Sequence, residues 1–114
     1  MYALRNKVQL IGNLGNAPEV KILEGGKKMA RFSLATNETH RDRAGRKETE
    51  TTWHHVVAWG KVAEIAEKYL SKGKEIAIEG KLVNRSYNDK DGIKRYITEI
   101  VANELLLMGD KERA

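Results

Sequence analysis

Two tryptophans, Trp53 and Trp59, lie in a run of β-branched and aromatic residues from Thr51 to Trp59 that reads as a strand. Side chains alternate across a strand, so Trp53, His55, Val57 and Trp59 share one face. Thr52, His54, Val56 and Ala58 share the other. That second face carries the small apolar residues that suit a narrow barrel interior, which makes the tryptophans exposed platforms rather than core. An exposed indole stacks on an unpaired nucleobase of any sequence, at ~1–3 kcal/mol per base. Tyr87 extends the idea at the end of a later strand, with Arg85 on the same face. A nucleic-acid strand also needs cations along its phosphates. The candidates are Lys7, Arg41, Arg43, Lys61, Lys72 and Arg85, placed at strand ends, in a hairpin and at both ends of a helix. Each alone reads as a solvated surface charge; as a set flanking the aromatics they read as phosphate contacts.

Other chemistries find little support. Of the three histidines, His54 and His55 are adjacent on a strand and point to opposite faces, so they do not readily share a metal. Cysteine is absent and no HExxH spacing occurs, so zinc is not expected. Gly12-Asn13-Leu14-Gly15 lacks the Gly-Lys-Ser/Thr ending of a phosphate-binding loop. Ser33, Ser71 and Ser86 are not set as nucleophiles, and no pair of carboxylates is placed for acid–base work. The expectation is a binding protein without cofactor or metal, not an enzyme.

The elements that must position these residues fit one domain. The 114 residues suffice for a single modest core, and the net charge of +5 favours polyanionic partners. No apolar run approaches the ~20 residues of a membrane span, and the N-terminal residues lack a secretory core, so the cytoplasm is the expected compartment. Period-two patterns predict strands over Asn6–Leu14, Lys28–Asn37, Thr51–Trp59, Glu75–Tyr87 and Arg95 to about Met108, with a short extended piece at Glu19–Leu23. Gly12 inside the first strand predicts a bulge or tight bend. Glu38–Glu50 reads as a hairpin tip and Asn88–Gly92 as a turn. Between the third and fourth main strands the period becomes 3.6, with Val62, Ile65, Ala66 and Tyr69 as one helical stripe and Gly73 near its end. Five strands with a lone helix between strands 3 and 4 predict an all-β OB-fold, a five-stranded Greek-key barrel.

An ordered series of segments also resembles the bacterial single-stranded DNA-binding proteins. It comprises Asn6-Lys7-Val8, Ile11-Gly12-Asn13-Leu14-Gly15, Ala17-Pro18-Glu19-Val20 and Phe32-Ser33-Leu34-Ala35-Thr36. It continues with Trp53-His54-His55-Val56-Val57, Gly60-Lys61-Val62-Ala63-Glu64, Tyr69-Leu70-Ser71-Lys72-Gly73 and Ile78-Glu79-Gly80-Lys81-Leu82. The resemblance implies an OB-fold protein, usually a homotetramer, that wraps single-stranded DNA during replication, repair and recombination. Its stacking positions fall at Trp53, Trp59 and Tyr87, and its phosphate contacts at Lys7, Arg43, Lys61, Lys72 and Arg85. His55 holds a position often basic in the family, and His54 one near subunit contacts. Two departures stand out. His40 replaces a familiar tryptophan platform, so weaker stacking is expected there. The chain ends at Gly109-Asp110-Lys111-Glu112-Arg113-Ala114 without the family's acidic tip, which leaves recruitment of replication proteins through such a tip unsupported and reads as either a tail-less or a truncated form. The reading is a binding domain over 1–109 and a short remnant over 110–114. Apolar Val83, Ile97 and Val101, exposed opposite the core face, would favour subunit contacts. The alternative function is an OB-fold adaptor of the primosomal type, acting through protein–protein contacts.

Overall fold

The computed structural model describes residues 3–108. Besides two three-residue 3-10 turns at Ala3–Arg5 and Glu24–Gly26, these residues form six strands and one α-helix in the order β1 (Val8–Leu14), β2 (Glu19–Ile22), β3 (Lys28–Arg41), β4 (Lys47–Trp59), α1 (Gly60–Tyr69), β5 (Glu75–Asn88) and β6 (Lys94–Leu107). The sheet order is β1-β5-β6-β4-β3-β2, and a further pairing of β1 with β3 closes five of the strands into a barrel. β2 lies outside this ring, paired with the first residues of β3. The helix sits between barrel strands β4 and β5, as the OB-fold reading requires. All neighbouring pairs are antiparallel except β4 and β6.

Closure depends on Gly12. β1 pairs with β5 as far as Asn13 and takes up β3 at Asn13 and Leu14. A Cβ on Gly12 would lie 2.2 Å from the carbonyl oxygen of Ala35, so only a bare backbone passes here. Gly12 marks a close strand approach and not a bulge. The register irregularity lies elsewhere, between Glu79 and Gly80, where Asn103 of β6 is passed over: Glu79 faces Glu104 and Gly80 faces Ala102.

Inside the barrel lie Leu14, Phe32, Leu34, Val56, Ile76 and Ile100, with Ala30, Ala58 and Ala102 where strands crowd. The helix covers one mouth of this core. Its buried face is Ala63 and Ala66, with Leu70 just beyond the last turn. Ile65 and Tyr69, expected in the apolar stripe, are 40% and 53% exposed. A short helix lying across a narrow mouth presses its small residues inward and leaves larger ones at the rim. Gly73 is not the helix cap: α1 ends at Tyr69, and Gly73 takes φ +87 in the following turn, where its N–H donates to Leu14.

β3–β4 and β5–β6 are long hairpins that run past the closed barrel as two arms. Most of the polar segment read as a hairpin tip is strand, with cross-strand partners continuing to Arg41 and Lys47. Alternating Thr, Glu and Lys residues support a ladder without a buried face, because the backbone bonds and cross-strand pairs hold it. Both tips use one device. Asp42 accepts from the N–H groups of Ala44 and Arg46, with Gly45 at φ +82 between them. Asp89 accepts likewise from Asp91 and Ile93, with Gly92 at φ +77.

Candidate nucleic-acid interface

The barrel and its arms present a front face built from the odd-numbered residues of β3–β6. Trp53 is 58% exposed there. Its ring packs against Gly15, where a Cβ would come within 2.4 Å of the indole. Gly15 is held by the backbone of Ser33, and Ser33 in turn donates its N–H and hydroxyl to Asn16 Oδ1 at 3.0 and 2.7 Å. The indole is thus held at its benzo edge and otherwise largely open to solvent, the exposure a stacking platform needs.

His55 follows on the same face, and beyond it lies the centre of the site. Arg85 donates to both carboxylate oxygens of Glu99, at 2.9 and 3.0 Å. Arg31 approaches the same carboxylate at 3.6 Å. Among the described residues Glu99 is the one buried charged side chain, at 5% exposure. The Arg85 guanidinium holds the Glu99 carboxyl below its ordinary range, with smaller help from Arg31 and His55. The same bonds raise the Arg85 pKa. A bidentate guanidinium is held flat and in one orientation. Val83, Ile97 and Val101 flank this pair and are half-buried, so they offer less exposed apolar surface than the pattern suggested. Further along the β5–β6 arm, Tyr87 is 46% exposed and lies opposite Arg95. At the other end of the face, Trp59 is half-buried and the Lys27 ammonium stands 5.1 Å from its ring centroid.

The remaining candidates lie around this face. Lys61 is exposed in the first turn of α1 and Lys72 in the turn after the helix, both at the helix end of the barrel. Arg43 is exposed at the tip of the β3–β4 arm, where Arg41 donates to the carbonyl of Gly45 at 2.8 Å. Lys7 is ion-paired with Glu79 at 3.2 Å on the neighbouring β1–β5 surface. His40 belongs to the reverse face of the β3–β4 arm, across the sheet from Trp53, 3.7 Å from Glu50. His54 also points away from the front face. It is half-buried, its Nε2 is 3.0 Å from the Thr36 hydroxyl, and it lines a small cleft with Leu82, Thr98 and Ile100.

Sequence patterns overlooked Glu99, Arg31, Gly15 and Asn16. A carboxylate in a strand looks like solvent-facing polarity until the register sets it diagonally across from Arg85. For Gly15, the nearby tryptophan gave no distance signal, because the two are far apart in sequence.

The family model described as "Single-strand binding protein family" matches residues 5–108, which is most of the chain. The chain belongs to this family. It is 46% identical over 108 residues to single-stranded DNA-binding protein 1 of Chlorobaculum tepidum, covering 94% of this chain and 67% of that protein. It is 45% identical over 106 residues to the single-stranded DNA-binding protein of Xanthomonas campestris, covering 93% of this chain and 62% of the relative. The chain therefore spans about two thirds of the length of these curated relatives. Its fold is similar to that of the Plasmodium falciparum SSB in complex with ssDNA, at a TM-score of 0.84 and 37% identity, covering 91% of this chain and 95% of that one. Membership of the family agrees with the closed barrel and with the position of its single helix. Residues 109–114, where the sequence reading placed the domain end and the short remnant, lie outside the described residues. Among the described residues no helix is long and apolar enough to cross a membrane.

Proposed function

We propose that this protein binds single-stranded DNA without sequence preference, holding bases on Trp53 and Tyr87 and phosphates on the cations around them. The observation that carries the reading is the Trp53 indole, held against Gly15 yet largely open to solvent, on the same surface as Arg85 and Tyr87. Trp59 supplies a further ring at the helix end, with Lys61 two residues after it and Lys72 in the turn after the helix. His55 adds a phosphate contact to the path. Lys7, tied to Glu79, reaches a phosphate only by giving up part of that ion pair. Arg41 and Arg43 serve the strand as it passes the arm tip, and His40 offers a smaller stacking surface on the reverse of that arm. Contacts to base rings and to the phosphate backbone would carry the affinity, and neither depends on base sequence. Through this binding the protein would protect exposed strands in replication, repair and recombination, acting as a binder rather than a catalyst.

Assembly into a homotetramer belongs to the same proposal. β1 ends the sheet, and its second edge is taken up by β3 only at Asn13 and Leu14. On the outer face of β1, β5 and β6, Ile11 and Leu106 are 56% and 64% exposed and line a largely apolar groove with Val62 and Ile65 of the helix. An unpaired edge next to an apolar groove suits contact with another copy. The half-buried His54, 3.0 Å from the Thr36 hydroxyl, would support the arm and, with its cleft, serve as a subunit contact.

The deciding experiment is a titration with oligo-dT followed by tryptophan fluorescence at low and high salt, with light scattering on the same samples. Quenching with salt-sensitive affinity, and none with duplex DNA, is the expected result. Absence of quenching and binding would overturn the reading in favour of a protein-binding adaptor, and a stable monomer would overturn the assembly.

A further inference from the structure

We propose that the reverse face of the β5–β6 arm is a second contact for single-stranded DNA, with Tyr96 as its stacking platform. The inference rests on the DNA-binding reading above and extends it to a surface outside the front face. Tyr96 is 72% exposed, more than any other aromatic side chain among the described residues. Strand register sets it opposite Ser86, while Tyr87 is opposite Arg95. Because consecutive residues of a strand point to opposite faces, the rings of Tyr87 and Tyr96 project from the two sides of one arm.

The two faces repeat one chemistry. On the front, Tyr87 is paired across the strands with Arg95, whose guanidinium is also ion-paired with Asp89 at 2.8 Å. On the reverse, the Lys94 ammonium stands 5.9 Å from the Tyr96 ring centroid. The other residues of β5 and β6 near Tyr96 on this side are Asn84, Ser86 and Asn88, and Asn84 accepts from Thr98 at 2.7 Å where the face meets the His54 cleft. None is a carboxylate. The reverse face of the β3–β4 arm differs, because Glu38, Glu48 and Glu50 surround His40 there. A phosphate chain meets one cation and neutral hydrogen-bonding groups beside Tyr96, where the other arm would oppose it with three negative charges. A ring left in water beside a lysine, on a face without acids, suits a nucleobase and its phosphate. A strand that touches both tyrosines must pass around the arm, so the arm is enclosed by the DNA rather than laid on it.

The test compares the full chain with its Tyr96→Ala and Tyr96→Phe variants, using oligo-dT of about 6 and about 16 nucleotides, lengths that bracket one OB-fold's site. The short oligonucleotide should fill the front face and bind all three proteins alike. The long one should bind Tyr96→Ala roughly 5-fold or more weakly, while Tyr96→Phe keeps the wild-type affinity because the ring is what stacks. In the wild-type protein, an iodouracil-substituted long oligonucleotide should photocrosslink to Tyr96 as well as to the front face. Unchanged binding of the long oligonucleotide by Tyr96→Ala would overturn the inference. So would a change of oligomeric state in that variant, which would assign the face to a second copy of the chain. Failure of the wild-type protein to bind either oligonucleotide would instead defeat the DNA-binding reading itself.

Discussion

Replacing Glu99 by glutamine removes the charge from the centre of the front face while keeping its shape, so it isolates the Arg85–Glu99 pair. The carboxylate accepts two charge-assisted bonds, at 2.9 and 3.0 Å. Glutamine retains one acceptor oxygen but turns an NH2 group toward the second guanidinium donor. The loss is one charge-assisted bond plus the ionic attraction, about 1.5–3 kcal/mol. Arg85 is 42% exposed and can turn into water, which trims the figure to about 1–2 kcal/mol. For a domain of ~100 residues this lowers the melting temperature by about 5–15 °C. The assay is thermal melting by circular dichroism at fixed protein concentration, because assembly also shifts the midpoint. The pH dependence gives a second check. Arg85 holds the Glu99 carboxyl below its ordinary 4.5 in the folded protein. Its stabilisation is therefore complete above 4.5 and is lost as pH falls through the lowered folded value. The gap between wild type and Glu99→Gln should be widest near neutrality and close under acid conditions. Equal melting temperatures at pH 7, or a gap that widens on acidification, would refute the reasoning.

Trp53→Ala should weaken binding to every single-stranded sequence by about 1–3 kcal/mol in fluorescence anisotropy, with little change in melting temperature since the ring is largely exposed. Wild-type affinity would remove Trp53 from the binding surface. Lys61→Ala should make the slope of log K against log salt shallower by about 0.7, one phosphate's share on a single strand, and an unchanged slope would place Lys61 off the path. Gly12→Ala drives a Cβ into the Ala35 carbonyl, so a loss of about 1–3 kcal/mol is expected from the urea midpoint. A wild-type midpoint would contradict the close approach at barrel closure.

The fold was legible because its signals are local. Alternation at Val8–Leu14, Lys28–Asn37 and Thr51–Trp59 predicts the strands, and the change of period after Trp59 predicts the helix. The tryptophan face was legible for the same reason, since parity along one strand settles that Val56 and Ala58 go in and Trp53 goes out. What stayed hidden depends on how elements meet. The helix rotates to press Ala63 and Ala66 inward because the barrel mouth is narrow, which a hydrophobic stripe does not encode. The arms extend through polar residues that carry no burial pattern, so Glu38–Arg41 and Lys47–Glu50 read as loop. The Arg85–Glu99 pair exists only through the β5–β6 register, and that Trp53 rests on Gly15 only through the approach of β1 to β3.

The skipped residue Asn103 lets a single strand follow two phases. Before it, Ile100 and Ala102 turn inward while Glu99 joins the front face; after it, Leu105 packs on the core near the helix. Were Asn103 instead to take its place in a uniform ladder opposite Glu79, everything downstream would slip by one residue, turning Leu105 into solvent and Leu106 against the core. The irregularity thus uncouples the two ends of β6. Substitutions can tune the ligand-facing end without disturbing the packing of the helix end, and the reverse also holds.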